Sequence, residues 1–420
     1  MHPTVSARWA VGAAALALAA AFHPTSHAAT LEYLGQQIVP SATFFGGTTV
    51  GGLSGIDRNP LTGSYVAISD DRSGLNPARY YDLTLNLAQF VRSASPGNAG
   101  VSFTSVTTIL RPDGTAFPTN TVDPESMRFN PSNGNLLWSN EGQRAGAGLQ
   151  NPTVREMTTA GTWVRSFDVP LRYEPAGSVA GTGVGDSGIR NNLAFESLTV
   201  STDGQTLYTA TENALVQDGP VSTLTNGSNS RIASFNLATG AAGAEYLYTV
   251  ESVVLPPSPA GGFATNGLVE LLAIGDRQFI SVERSFAAGA ATPGAGPNGL
   301  PTGNTIRLFY VDARNATDVR NIDSLLASTA TPVAKTLLLD LSTLQNDDGS
   351  ALALDNIEGI TWGPQVNGKD TLILVSDNNF GVAQFTQFVA LSVTSPIPEP
   401  ASALLLAAGL LPLLRRVRFS

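Results

Sequence analysis

The chain has 420 residues, 42% of them hydrophobic, which is enough to build one large domain or two ordinary ones. Glycine (42 residues) and proline (26) are frequent and only 13% of the residues are charged, a composition typical of an extracytoplasmic protein made of short strands and turns. A net charge of −10 argues against nucleic acid as a partner, and the absence of cysteine excludes disulfides, thiolate metal sites and cysteine nucleophiles.

The first 28 residues have the three parts of an export signal. Residues 1–8 form a short basic segment, and residues 9–22 form an apolar one. Ser26 and Ala28 are small residues at the two positions that a signal peptidase reads. The sequence therefore predicts that residues 1–28 are a leader and that the mature domain begins at residue 29. All three histidines of the chain lie in this leader, so the mature domain would contain none.

A unit of two short strands joined by a turn recurs after the leader. Its clearest copy is residues 355–362 followed by residues 371–380, with one acidic residue near the start of the first strand and another at the end of the second. Copies recur roughly every 70 to 90 residues, and a repeat of this length built from short strands predicts propeller blades. The first acidic position holds Glu125, Glu196, Glu270 and Glu358, with Ser54 in the earliest copy. The second holds Asp70, Asp71, Glu141, Glu212, Glu283 and Asp377.

We expect an all-β propeller with five four-stranded blades over residues 29–394, with six blades as the alternative. The last repeat lacks one strand, and residues 31–39 are a spare strand, so this strand should complete the last blade beside residues 387–393. Long stretches rich in Gly, Pro and Asn should be surface loops between strands of the same blade, or walls of one channel mouth. They are residues 176–191, 217–230 and 287–304.

Residues 395–420 differ in kind from the domain. Residues 398–400 are Pro-Glu-Pro, residues 401–414 are mostly apolar, and three arginines lie within residues 415–418. The apolar stretch is short of the about 20 residues that cross a bilayer. The arrangement resembles the PEP-CTERM sorting signal of Gram-negative bacteria. This resemblance implies recognition by an exosortase-type protease and transient anchoring in the inner membrane through residues 401–414. It also implies a mature protein in the periplasm, on the cell surface or in the extracellular matrix.

The repeated acids should surround the channel, because the first strand of each blade lines the axis of a propeller. Crowded carboxylates cannot all stay ionised without a cation among them, and Ca²⁺ binds six to eight oxygen ligands. The predicted Ca²⁺ ligands are Asp70, Asp71, Glu125, Glu141, Glu196, Glu212, Glu270, Glu283, Glu358 and Asp377. The arginines predicted to bind a substrate anion are Arg72, Arg144 and Arg284.

Two other interpretations of the acids stay open. They could pair with arginines close by in sequence, namely Arg72, Arg128, Arg144 and Arg284, or accept backbone N–H groups, or they could perform acid–base chemistry without metal. The spacing of arginine from the acids is irregular, with none near Glu212 or Asp377, which favours a cation over a ring of ion pairs. Without histidine or cysteine, a Ser-His-Asp or Cys-His hydrolase and a His-ligated zinc enzyme are excluded. Hydrolysis would require carboxylates, a metal-activated water and arginine.

The repeats resemble the phytase-like family, described as having the "esterase-like activity of phytase", over residues 46–393. The motifs that carry this resemblance are residues 53–56, 68–72, 123–126, 140–141, 195–198, 211–213, 282–284, 356–360 and 376–380. The resemblance implies a β-propeller and Ca²⁺-assisted hydrolysis of a phosphoric or other ester. The alternative function is a non-catalytic binding or matrix propeller. The domain has only two lysines, Lys335 and Lys369, so a dense cationic pocket for a polyphosphorylated inositol would need arginine and metal.

Overall fold

Short runs of apolar and β-branched residues separated by Gly, Asn and Pro form strands here, because one set of alternate side chains is buried and the turns reverse the chain. The computed structural model describes residues 30–146 and 148–394, which contain 24 strands, four single-turn 3₁₀-helices and no α-helix. Twenty of these strands form five antiparallel four-stranded sheets. The predicted all-β propeller with five blades is confirmed, and the six-bladed alternative is wrong.

The strands of each blade run from the channel to the outer edge in the following order. Blade 1 consists of β4 (Leu53–Arg58), β5 (Tyr65–Ser69), β6 (Arg79–Leu85) and β7 (Val101–Thr108). Blade 2 consists of β8 (Pro124–Phe129), β9 (Leu136–Asn140), β12 (Thr153–Met157) and β13 (Trp163–Ser166). Blade 3 consists of β14 (Thr199–Val200), β15 (Thr206–Ala210), β16 (Ser228–Asn236) and β17 (Ala242–Val250). Blade 4 consists of β18 (Ala264–Gly275), β19 (Gln278–Ala287), β20 (Asn304–Asp312) and β21 (Ala334–Asp340). Blade 5 consists of β22 (Asn356–Trp362), β23 (Thr371–Asp377), β24 (Thr386–Val393) and β1 (Leu31–Val39).

Short elements lie between these strands. Two hairpins are formed by β2 (Phe44–Phe45) with β3 (Thr48–Thr49) and by β10 (Gln143–Ala145) with β11 (Gly148–Gln150). The 3₁₀-helices are Leu87–Gln89, Leu171–Tyr173, Val216–Asp218 and Leu341–Thr343.

The ring is closed by strand pairing between the two ends of the described chain. Strand β1 pairs antiparallel with β24, from Leu31 opposite Val393 to Val39 opposite Thr386, as the sequence predicts. The first strands of neighbouring blades contact one another around the whole ring, which places them at the channel. Closure of this kind leaves only short sheet edges exposed.

A separate hydrophobic cluster fills each of the five spaces between blades. Successive side chains of a strand point to opposite faces, so each blade contributes to two clusters. In β23, Leu372 and Leu374 pack towards blade 4, whereas Ile373 and Val375 pack towards blade 1. All four side chains are buried, so stability is distributed around the ring and is not concentrated in one central core.

The channel is blocked by a buried ion pair that we call the channel plug, Arg128 and Glu270. The guanidinium of Arg128 donates to carbonyl oxygens in the first strands of blades 1, 2, 4 and 5 and lies 2.9 Å from the Glu270 carboxylate. Glu270 accepts the Leu198 N–H at 2.8 Å, next to the first strand of blade 3, and the Ser126 hydroxyl at 2.7 Å. The plug therefore ties all five blades together at the centre of the ring.

One predicted loop lies in a different place from that expected. Residues 176–191 connect β13 of blade 2 to β14 of blade 3 and do not lie within a blade. Residues 217–230 and 287–304 connect strands of the same blade, as predicted. The predicted leader and the predicted sorting tail lie outside the described residues. Within the part of the chain that the structure describes, no helix is long and apolar enough to cross a membrane.

Replacing Arg128 by methionine should destabilise the protein by about 3 to 5 kcal/mol, because it leaves the Glu270 carboxylate buried without its partner. Urea unfolding followed by circular dichroism measures this change. Adding Glu270→Gln to Arg128→Met should recover part of the loss, because the orphaned charge is then gone.

The matched control is Arg92→Met, which removes an ion pair to Asp347 whose side chains are 42% and 75% exposed. That change should cost no more than about 1 kcal/mol. Equal losses for Arg128→Met and Arg92→Met would contradict the role of the plug.

Candidate active site: an acidic chamber above the channel plug

The pairing of the first two strands is interrupted near the end at which the first strand begins, which we call the upper end. The break follows Leu53, Pro124, Leu268 and Ile357 in blades 1, 2, 4 and 5, and Phe195 in blade 3. Such a bulge inserts an extra residue and re-aims its side chain. The residues that follow the five breaks are Ser54, Glu125, Glu196, Val269 and Glu358.

A second set of side chains comes from the second strands at the same level. Each residue before a bulge pairs with a residue near the end of the second strand, for example Ile357 with Ser376 and Leu268 with Glu283. The residue that follows this partner occupies an equivalent position in every blade. These residues are Asp70, Glu141, Glu212, Arg284 and Asp377.

Blade 4 departs from the predicted repeat by one residue. Comparison of the repeats in the sequence placed Glu270 and Glu283 in the two acidic positions. The strand pairing around the bulge instead puts Val269 and Arg284 there. A one-residue offset turns a side chain to the opposite face of a strand. Glu270 therefore belongs to the channel plug, and Glu283 instead accepts the Lys335 ammonium at 2.7 Å.

Two further predicted site residues are satisfied elsewhere. Asp71 forms an ion pair of 2.7 Å with the buried Arg79 and accepts backbone N–H groups of the 74–76 turn. Arg144 donates to the carbonyl oxygens of Ser187 and Ala176 in the 176–191 loop and lies 3.7 Å from Asp186. Asp71 is therefore neutralised by its own cation, although its charge still contributes to the raised pKa of Asp70.

We call the space above the plug the acidic chamber. Asp71 and Asp355 interact with its acids from the edge, and eight carboxyl groups interact with one another inside it. They are Asp70, Asp123, Glu125, Glu141, Glu196, Glu212, Glu358 and Asp377. Two guanidinium groups contact them: Arg284 lies 3.3 Å from Glu212 and 3.5 Å from Glu358, and Arg72 lies 3.3 Å from Asp123. Glu212 has no arginine near it in the sequence, and its partner Arg284 comes from the next blade.

Asp123 is a chamber residue that the sequence interpretation missed. One oxygen each from Asp123, Glu125 and Glu141 lies within 4.8 Å of the others, and all three residues are buried. Oxygens that share a Ca²⁺ ion at 2.3 to 2.6 Å lie at most about 5 Å apart, so the three groups fit one ion. The available signal was the spacing of Asp123 and Glu125, two acids separated by one proline.

Several carboxylates of the acidic chamber contact one another directly. Asp123 lies within hydrogen-bonding reach of Glu125 and Glu141, and Glu141 reaches Glu196. Two ionised carboxylates repel at such a distance unless they share a proton or a cation. The Oδ1 atom of Asp70 is buried without a hydrogen-bond partner. These features fit a hard divalent cation, because its preferred ligands are carboxylate oxygens.

Burial raises the pKa values of the chamber acids, and neighbouring charges modify the effect. Burial raises the pKa of Asp123 and that of Glu212 to about 7, although Arg72 and Arg284 oppose the respective shifts. Burial first, and neighbouring carboxylates second, hold the pKa well above its ordinary range for Asp70, Glu125, Glu196 and Asp377. Part of the chamber therefore retains protons at neutral pH when no cation is bound.

Residues 48–380 match the family model described as "Phytase-like: Esterase-like activity of phytase". The chain belongs to the phytase-like family. The family resemblance of the repeat motifs is thereby confirmed. No curated protein matches the sequence.

The solved structures that are similar to the phytase-like chain include two whose sequence identity to it is low. One, described as "Structure of Dos1 propeller", is 7% identical, with a match covering 81% of this chain and 68% of that chain at a TM-score of 0.32. Another, "Structure of U3-55K", is 10% identical, with a match covering 86% of this chain and 99% of that chain at a TM-score of 0.34.

The phytase-like domain has a cavity at each end of the blocked channel. The upper cavity, about 490 Å³, is lined by Arg284 and Asn356 together with residues of the 287–304 loop, so it opens onto the acidic chamber. The predicted alternative that this loop walls a channel mouth agrees with this arrangement. The lower cavity, about 460 Å³, lies among the turns below the plug and contains Asp57, whose carboxylate accepts the Phe129 N–H at 2.9 Å. Of these two cavities, the upper one adjoins the acidic cluster, because Arg284 and Asn356 contact Glu212 and Glu358 respectively.

The phytase-like domain should lose stability as pH rises when cations are removed. Asp123 and Glu212 bind protons more tightly when folded, with pKa values of about 7, than as free side chains near 4. The folded state therefore holds more protons between about pH 4 and pH 7, and its free energy of unfolding falls as pH rises through that window. In chelator, Tm should be higher at about pH 5 than at about pH 7.5.

Millimolar Ca²⁺ should reverse this order, because a ligand of the folded state at a hundredfold excess over Kd adds about 2.7 kcal/mol and competes best where protons have left. Glu196→Gln should blunt the response to Ca²⁺, and Asp347→Asn, at an exposed ion pair, should leave it unchanged. If chelator and Ca²⁺ leave Tm unaltered at both pH values, the acids do not form a cation site.

Proposed function

We propose that the acidic chamber binds a divalent cation, with Ca²⁺ as the first candidate, and that a phosphoric ester is hydrolysed beside this cation. The observation that carries the proposal is the imbalance of charge, with eight buried carboxyl groups against Arg72 and Arg284. The described residues contain neither histidine nor cysteine, so hydrolysis here depends on carboxylates and arginine. The family description, which includes esterase-like activity, supports the same chemistry.

Three carboxylates, Asp123, Glu125 and Glu141, are the proposed ligands of the cation. A divalent cation bound there would supply Lewis-acid polarisation of the ester and lower the pKa of a bound water. Arg284 projects at the boundary between the chamber and the upper cavity and would bind an anionic oxygen of the substrate. Arg284 is therefore the residue that places the ester between the cavity and the cluster.

Proton transfer is assigned to Glu212. A pKa of about 7 means that this carboxyl group is protonated on part of the molecules at neutral pH, so it can donate a proton to the departing alcohol oxygen. The neighbouring Arg284, 3.3 Å away, stabilises the carboxylate that remains. A water molecule adds to phosphorus as the P–O bond to the alcohol breaks, and the proton that this water loses restores the carboxyl group of Glu212.

The purified domain should hydrolyse 4-nitrophenyl phosphate with Ca²⁺ and lose this activity in chelator. Glu125→Gln should reduce kcat by about a hundredfold or more, because it removes a proposed cation ligand. The same change relieves repulsion in the chamber, so the Tm in chelator should not fall. Loss of activity without loss of stability distinguishes a functional ligand from a structural acid.

Asp347→Asn is the control and should keep the activity of the parent protein, because the side chain of Asp347 is 75% exposed and pairs only with Arg92 on the surface. Ca²⁺ binding without turnover of any chromogenic phosphate or acetate ester would overturn the hydrolase assignment. It would leave the alternative, a non-catalytic binding propeller, in its place.

We also propose that the domain is exported, through residues 1–28 as a leader and residues 395–420 as a PEP-CTERM tail processed by an exosortase-type protease. Leu31 and Val393 are paired at the lower end of blade 5, so both segments would leave the domain on the side away from the acidic chamber. An anchor formed by residues 401–414 would thus leave the chamber facing away from the membrane.

Mass spectrometry of the protein purified from its native cell should find a mature N-terminus near residue 29 and a C-terminus that lacks the arginine cluster. Protein recovered from a strain without the protease should retain Ser420. Native protein with both Met1 and Ser420 in place would contradict the export proposal.

A further inference from the structure

The upper cavity has an aromatic wall that the hydrolysis of a small or highly charged ester would not require. Phe263 is 68% exposed and its ring centroid lies 6.1 Å from that of Phe286, whose side chain lines the same cavity. Leu300, 61% exposed, and Pro301 extend this wall. Large apolar side chains left in contact with water beside a polar site indicate a surface that receives an apolar ligand group.

The wall is held in a defined position. Phe286 lies in β19 opposite Asn304 of β20, and the carbonyl of Phe263 accepts the Ala288 N–H at 2.9 Å. The Gly296 N–H donates to the Leu300 carbonyl at 2.9 Å, which closes the turn that carries Leu300. The two phenylalanine rings are inclined at 40° to each other and form an aromatic platform against either ring of which a flat group can pack.

Arg284, the proposed anion-binding group, lies two residues before Phe286 of this platform in the same strand. Arg284 and Phe286 are two residues apart in β19 and so point to the same face, with their positions about 7 Å apart along the strand. An ester oxygen joined to a six-membered ring spans a similar length. A phosphate held at Arg284 would place an aromatic alcohol portion against the platform.

The charge of the cavity limits the number of anionic groups it can accept. Arg284 is its single cationic lining residue among those that the structure describes, and Asp355 lies on the same wall. Lys335 is bound to Glu251 and Glu283, and Lys369 to Glu32, so neither lysine serves the cavity. A polyphosphorylated ligand would meet carboxylates where it needs cations.

A buried amide in the cavity wall is left without a hydrogen-bond partner for its oxygen. Asn304 is 3% exposed and lines the cavity, and its Oδ1 atom has no hydrogen-bond partner. An unsatisfied buried acceptor is unfavourable, so a ligand that reaches it with an O–H or N–H donor is favoured.

We propose that the substrate is a phosphoric monoester with one anionic group and an aromatic alcohol portion, which stacks on Phe263 and Phe286 while Arg284 binds the phosphate. The proposal rests on the hydrolytic function proposed above. Phe263 is then a residue that determines specificity, and highly phosphorylated polyols are poor substrates.

The test compares 1-naphthyl phosphate, glycerol 2-phosphate and inositol hexakisphosphate as substrates of the full domain with Ca²⁺. The parent protein should have its highest kcat/KM on the naphthyl ester. Phe263→Ala should lower that value by about tenfold, mainly through KM, and leave glycerol 2-phosphate within about twofold. Phe44→Ala is the matched control, because Phe44 is 70% exposed and lies outside the cavity lining, and it should change neither substrate.

Calorimetric binding of 1-naphthyl phosphate separates this proposal from the hydrolytic one. Binding weakened by Phe263→Ala without any turnover would support the ligand class and overturn the hydrolase. Turnover with equal losses on both small esters, or a preference for inositol hexakisphosphate, would overturn the aromatic substrate and keep the hydrolase. Neither binding nor turnover would overturn both.

Discussion

The ion pair between Arg128 and Glu270 is the constraint on which the arrangement of the channel depends. The first strands of five blades converge on an axis where their carbonyl groups have few partners, and unpaired buried backbone groups are costly. One guanidinium meets four of these carbonyls, and its carboxylate partner meets the N–H beside the remaining blade. The plug therefore closes the channel below the acidic chamber and forms its floor.

The position of the acids above this floor follows from the bulges in strand pairing. The bulges of blades 2, 3 and 5 place a glutamate among the chamber acids, and the residue that follows its strand partner lies beside it. Blade 4 keeps the bulge but carries Val269 and Arg284 in the two positions, so one blade contributes a cation where its neighbours contribute acids. Gly267 next to this bulge leaves room for Glu212, since a Cβ atom there would lie 2.1 Å from the Glu212 Oε1 atom.

Much of the fold could be predicted from the sequence, because alternation, turn residues and the repeat length are local signals. The closing strand was predictable because one repeat lacked a strand and residues 31–39 supplied it. The register of blade 4 was not predictable, since glutamates occur at 270 and 283 and a one-residue offset leaves the sequence pattern almost unchanged. Ion pairs between blades also escaped prediction, because Arg284 meets Glu212 and Glu358, more than 70 residues away in each direction.

Because the chamber contains few arginines, it would bind an anionic ester together with a cation. Matched arginines in all five blades would neutralise the carboxylates and stabilise the ring, but they would leave no charge to hold a metal ion. With Arg284 at the mouth and Arg72 at the rim, the remaining carboxyl groups retain protons, which a bound cation would replace. A bound cation would in turn offset the negative potential that repels an anionic ester, so the cation would have to bind before such a substrate. The carboxyl groups of the chamber thus repel one another. The fold tolerates this repulsion because five separate hydrophobic clusters and the plug stabilise it.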